Sequence, residues 1–162
     1  MTLDATTLET PAGPLGILAR DGVVVAAGFA PIEELAERVA EPATARRELG
    51  PISRALSAYF DGDLTAMNDL AVEQPGGDFF QAAWKVMREV PAGQTITYTE
   101  LAERAGRPRA VRAAGSACAR NLIAPIIPCH RILRSGGAPG GYLYGLKAKS
   151  WLLDHERRHA AA

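Results

Sequence analysis

No cysteine or histidine occurs before Cys118 in this chain of 162 residues. Thiolates and imidazoles are the usual ligands of structural zinc, so a zinc site of that kind is not expected in the N-terminal part of the chain. Cys118 and Cys129 are the two cysteines. Two cannot make a disulfide framework, and a protein that uses a free thiol needs a reducing compartment, so a cytoplasmic location is expected. Long apolar runs are also missing. In the first half the longest is Val23 to Ala30, too short for a bilayer span and without the basic flank of a signal peptide, so no membrane association is expected. A P-loop and a dinucleotide-binding fingerprint are absent too, and no cofactor is expected.

Acidic residues are missing from one long stretch. None lies between Glu103 and Asp154, where Arg104, Arg107, Arg109, Arg112, Arg120, Arg131, Arg134, Lys147 and Lys149 all fall. The formal net charge of zero therefore hides an asymmetry: residues 1–90 carry −7 and residues 91–162 carry +7. A solvated basic face is one reading of this stretch, and contact with the phosphates of a nucleic acid is the favoured one.

Periodicity divides the chain near Gln74-Pro-Gly-Gly77, giving a lobe over 1–75 and another over 76–162. In the first lobe Leu3–Glu9, Leu15–Arg20 and Val23–Phe29 read as strands, with Asp21-Gly22 as a hairpin turn. A helix from Pro31 to Glu41 follows, then an amphipathic helix carrying Ile52, Ala55, Leu56, Tyr59 and Phe60. In the second lobe Asp78 is a candidate helix cap, with Phe80, Trp84 and Met87 on one face. Thr97 and Glu100 fit a capping box, and that short helix stops at Gly106. Pro108 opens the next helix, with Val111, Ala114, Gly115 and Cys118 on one face and Arg109, Arg112 and Ser116 on another. The fold class is α+β: a small antiparallel-sheet lobe with helices, then a mainly helical lobe containing a helix-turn-helix.

Pro128-Cys129-His130-Arg131 places a thiol beside an imidazole, between an apolar run and a glycine-rich loop. A free thiol is mostly protonated at neutral pH, and a neighbouring base or cation is what turns it into a nucleophile. The dipeptide alone is equally compatible with a small buried hydrophobe. Its surroundings are more specific. Ile126-Ile-Pro-Cys-His-Arg-Ile132 with Ser135-Gly-Gly and Gly140-Gly-Tyr142, preceded by Thr97-Tyr-Thr-Glu-Leu-Ala102, Arg112-Ala-Ala-Gly115 and Asn121 and followed by Trp151-Leu-Leu-Asp-His-Glu156, resembles the O6-alkylguanine-DNA alkyltransferases, or methylated-DNA-protein-cysteine methyltransferases. The match is dense from about Phe79 to Glu156.

The resemblance implies a single-turnover transfer of an alkyl group from O6 of guanine, and O4 of thymine, in double-stranded DNA to Cys129 of a monomeric protein. It makes His130 the base that takes the thiol proton through a bound water, with Glu156 orienting it. Tyr98 donates to guanine N3, and Asn121 braces the active-site turn. Arg112 fills the gap left by a flipped nucleotide, and Arg109, Ser116 and Tyr98 also face DNA. Flipping is required in any case, because an exocyclic O6 cannot be reached inside the stack. Ile132, Tyr142, Leu143, Tyr144 and Lys149 are implied as the substrate pocket, with Leu143 and Tyr144 narrowing it. No metal or cofactor is implied. A non-enzymatic alkyltransferase-like protein that binds damaged DNA is the alternative, although such relatives replace the cysteine. A thiol hydrolase leaves the basic stretch unexplained, and a plain helix-turn-helix regulator leaves the thiol unexplained.

Overall fold

A computed structural model describes residues 2–160. The chain forms two compact units, one holding the chain up to Gln74 together with Leu122–Ile126, the other Pro75–Asn121 and the chain from Ile127 onward.

In the first unit β1 (Leu3–Leu8), β2 (Leu15–Arg20) and β3 (Val23–Gly28) form the expected antiparallel meander. Asp21 and Gly22 have φ of 51° and 82°, the left-handed values that a two-residue hairpin turn needs to match strand twist. After α1 (Ile32–Val39), Ala43–Ala45 forms a strand, β4, that pairs parallel with the free edge of β1. The sheet, in order β3-β2-β1-β4, is thus mixed at one edge. Three residues after a proline carry too little alternation to announce a strand. Leu35 of α1 is fully buried in a cluster with Leu3, Ala5, Leu18, Val25 and Ala26. Gly16 permits that docking: a Cβ there would stand 2.7 Å from the Ala30 carbonyl oxygen and 2.8 Å from Leu35. α2 (Pro51–Phe60) buries Ile52, Leu56, Tyr59 and Phe60, with proline in its first turn. Leu122–Ile126 joins this unit because the Ala27 N–H donates to the Leu122 carbonyl at 2.8 Å and the Ala124 N–H donates to the Ala27 carbonyl at 3.0 Å.

The second unit is built on α3 (Asp78–Glu89), whose Phe79, Ala83, Trp84, Val86 and Met87 are buried. Two expectations change here. Asp78 is the first helical residue and makes no side-chain cap, because Gly77 takes the cap position. Phe80 is only half-buried and lies beneath the Arg120 guanidinium, 5.6 Å from its ring centre. α4 (Tyr98–Arg104) begins with the expected capping box: the Glu100 N–H donates to Thr97 Oγ1, and the Thr97 N–H donates to Glu100 Oε1, both at 3.1 Å. α5 spans Val111–Ala119, so Pro108 and Arg109 lie in the turn before it and not on the helix. Trp84 Nε1 donates to the Ala117 carbonyl at 2.9 Å, fastening α5 to α3.

A short parallel pair, β5 (Ile96–Thr97) and β6 (Ile132–Leu133), ties the start of α4 to the residues that follow Cys129-His130-Arg131. α6 (Leu146–Ala160) closes the described chain and buries Lys149, Leu152, His155 and Glu156. Among the described residues no helix is long and apolar enough to cross a membrane.

Candidate active site

Cys129–Arg131 forms one 3-10 turn whose side chains are all buried. Apolar Ile126 and Ile127 draw the chain inward, and pairing of β6 with β5 holds it there. Asn121 braces the approach, donating from Nδ2 to the Ile127 carbonyl at 2.8 Å. Burial pushes the Cys129 thiol up, opposed by a hydrogen bond with the Asn121 side chain and by the charge of Lys149. The resting sulfur is therefore a protonated thiol, and a base is needed to use it.

The neighbouring residue is a candidate. His130 Nε2 lies 2.8 Å from Glu156 Oε2, with both side chains essentially inaccessible. A carboxylate only accepts, so Nε2 carries the proton and Nδ1 is left as the basic atom; Nδ1 is buried with no hydrogen-bond partner among the described residues. Burial lowers the His130 pKa, Glu156 pulls it back up, and Arg131 and Lys149 lower it further. Burial alone would raise the Glu156 carboxyl, but His130 and Arg131 hold it well below the usual carboxylate range. The pair is thus neutral imidazole and ionised carboxylate, the state in which histidine can accept a proton.

Arg131 is the residue that sequence reading misplaced. Grouped there with the phosphate-facing arginines, it is in fact 3% exposed. Its Nε donates to Glu156 Oε1 at 2.8 Å, Nη2 to Glu156 Oε2 at 2.9 Å and Nη1 to the Val90 carbonyl at 2.7 Å. Glu156 is fully buried. The available signal was the apolar setting of Arg131, between Pro128 and Ile132.

Cys129 opens on a cavity of about 240 Å³ lined by Tyr98, Gly115, Cys118, Ala119, Gly141, Tyr142 and Leu143. Of the pocket residues expected from the sequence, Tyr142 and Leu143 line it, whereas Ile132, Lys149 and Tyr144 do not. Ile132 is fully buried. Lys149 Nζ stands behind the wall, donating to the carbonyls of Ile132 at 3.0 Å, Gly141 at 3.2 Å and Pro139. Tyr144 packs edge-on against Tyr142, ring centres 5.8 Å apart. The loop wraps tightly because Gly140 has φ of 69° and leaves room for the Tyr98 hydroxyl, which a Cβ would meet at 2.7 Å. Burial raises the Tyr98 pKa, keeping its hydroxyl protonated.

On α5, Gly115, Cys118 and Ala119 face the cavity at the i, i+3, i+4 spacing of one helix stripe, and Arg112 lies one turn before Gly115 on it. Cys118, placed by its spacing on one face with Val111, Ala114 and Gly115, is only partly buried and is a wall of the cavity. Arg112 and Arg109 are exposed, and Ser116 is partly buried. Among the described residues no group of three or more His, Cys, Asp or Glu could hold a metal ion.

Fold and site together define a protein whose buried thiol is followed in sequence by a buried histidine–carboxylate pair and opens on a cavity beside a helix. Residues 78–158 match the family model described as the 6-O-methylguanine DNA methyltransferase DNA-binding domain. The methylated-DNA--protein-cysteine methyltransferase of Methanosarcina barkeri is 38% identical over 94% of this chain and 96% of its own. That of Mycolicibacterium paratuberculosis is 34% identical over 99% and 96%. Among solved structures, Mycobacterium tuberculosis OGT in complex with DNA superposes with a TM-score of 0.85 at 33% identity, over 96% of this chain and 94% of that one. The chain belongs to the O6-methylguanine-DNA methyltransferase family.

Proposed function

We propose that this protein repairs double-stranded DNA by transferring an alkyl group from O6 of guanine, and from O4 of thymine, to its own Cys129. The observation that carries the reading is Cys129 on the cavity wall with the buried His130–Glu156 pair, 2.8 Å apart, beside it. The thiol proton passes to His130 Nδ1 through a bound water, and Glu156 stabilises the imidazolium that forms. The thiolate attacks the alkyl carbon, a sulfur–carbon bond forms and the carbon–O6 bond breaks. Its electron pair returns to the purine, which Tyr98 neutralises by donating a proton to N3; the tyrosinate then regains a proton from water as the imidazolium releases the thiol's, so no net proton is gained or lost. The product is a thioether, and no group at the site can cleave one, so each molecule acts once. A protein whose thiol must stay reduced suits the cytoplasm. No cofactor enters the reaction, and the protein acts as a monomer.

The DNA-binding and active-site lobe is 76–162, apart from the Leu122–Ile126 segment that belongs to the first unit. Its helix-turn-helix, α4 and α5, approaches the minor groove, where a lesion can be inspected with little regard to sequence. Arg112 holds the gap left by the flipped nucleotide, and Arg109 and Ser116 contact the backbone. Arg112→Ala is accordingly expected to slow repair of duplex far more than reaction with the free alkylated base. Arg109→Ala is expected to weaken damaged and undamaged duplex alike and to reduce the salt slope by about one. Single-turnover rates on both substrates and salt titrations check these; equal losses on duplex and free base for Arg112→Ala would defeat the flipping role.

The test of the function as a whole is intact mass after mixing with a duplex containing O6-methylguanine. A stable gain of one methylene mass is expected, and an unchanged mass would leave the protein a binder of damaged DNA.

A further inference from the structure

The Arg131 guanidinium is a buried charge for which the transfer reaction, as assigned above, has no use. It cannot reach a phosphate, being 3% exposed. Three hydrogen bonds between 2.7 and 2.9 Å use three of its five N–H donors, two on Glu156 and one on the Val90 carbonyl just after α3. Glu156 Oε2 is shared between Arg131 and His130, so any movement of the guanidinium is transmitted to the base through a single oxygen.

We propose that Arg131 is a positioning residue for alkyl transfer: its planar fork locks the Glu156 carboxylate in register with His130 Nε2 and keeps the proton on the imidazole and off the carboxylate. The inference rests on the alkyl-transfer reading. A fork that fits both carboxylate oxygens fixes the rotation of Glu156, which a single hydrogen bond from His130 does not. The same positive charge opposes a premature second proton on His130. The charged groups acting on His130 are Glu156 and Lys149 of α6 and Arg131 beside it; burial lowers its pKa first, Glu156 raises it, and Arg131 and Lys149 lower it. α3, packed against the same turn, meets Arg131 through the Val90 carbonyl. Arg131 thereby leaves His130 a neutral imidazole in the resting protein while Glu156 waits to stabilise it once the thiol proton arrives.

Two variants separate this from a merely structural role. Arg131→Gln removes charge and fork, and is expected to slow methyl transfer roughly 10- to 100-fold, the usual cost of losing an outer support of an active site. Its duplex affinity should be unchanged, and the low-pH limit of its rate should move upward, because His130 protonates more readily without the guanidinium. Arg131→Lys keeps the charge and loses the fork: a smaller loss in rate is expected, with the low-pH limit where the wild type has it. The measurements are single-turnover methyl transfer from pH 5 to 9 on saturating duplex, duplex Kd, and intact mass of the wild type. A wild-type rate in Arg131→Lys, or a loss lying wholly in duplex affinity, would overturn the proposal even if Arg131→Gln does not fold. A wild type that gains no methyl mass would overturn the alkyl-transfer reading and this inference with it.

Discussion

Cys129→Ser is expected to abolish methyl transfer and to leave duplex affinity within about twofold, since no phosphate-facing arginine changes. A serine hydroxyl is far less acidic than a thiol, and a site that already pushes the Cys129 thiol up by burial gives an alkoxide no better setting. Cys118 cannot take over. Burial pushes its thiol up, and it stands next to no histidine–carboxylate pair of its own. Cys118→Ala should thus still acquire a methyl group, at a rate reflecting only the reshaped cavity wall. Intact mass and peptide mapping of both variants after exposure to O6-methylguanine duplex are the measurements. A methyl group found on Cys118 would show that the wrong sulfur has been assigned.

The second large effect is expected at Glu156. Glu156→Gln removes the anion that Arg131 and His130 share, leaving Arg131 buried without a counter-charge. Breaking such a pair costs about 3 to 5 kcal/mol, which for a chain of this length lowers Tm by roughly 6 to 20 °C. Transfer should also fall roughly 10²- to 10⁴-fold, because His130 as general base loses the carboxylate that orients it and stabilises its imidazolium. The pH dependence has a definite sign. The folded pKa of Glu156 is depressed, so its contribution to stability is complete above the ordinary carboxylate value and is lost only as pH falls through the lowered one. The gap in stability between wild type and Glu156→Gln should therefore stay constant from pH 8 to about 5. Both proteins should weaken below the ordinary histidine value of 6.5, because His130 is held neutral by burial and the unfolded chain takes up the proton first. Denaturant melts across that range decide it: a gap that closes by pH 6 would mean that Glu156 is not the ionised partner of a buried arginine.

Features set by neighbours in sequence could be read from it, and features set by distant partners could not. The three-strand meander, the hairpin at Asp21-Gly22 and the capping box at Thr97 and Glu100 were legible because each depends on neighbours a few residues apart. β4 and the Leu122–Ile126 segment were not, since their hydrogen bonds join residues about 40 to 100 positions apart along the chain. Helix starts were also blurred: a proline at 108 reads as an opening, yet α5 begins at Val111 and leaves Arg109 in the turn.

At the site, the sequence by itself determined the chemistry: a thiol next to an imidazole, a glycine-rich loop beyond it, and an acid-free basic stretch around both. Those properties belong to residue types and short spacings, and they survive any detail of packing. What only the tertiary structure decided is the environment of each charge. Arg131 and Arg112 are the same side chain in the same basic stretch, yet one is buried against Glu156 and the other is exposed at the start of α5. Cys118 and Cys129 likewise share one cavity, with Cys129 alone of the two followed by the histidine that Glu156 holds. Burial, and the partners that burial imposes, arise from contacts between segments distant in sequence, and it is burial that separates a charge solvated by water from one that must be paired.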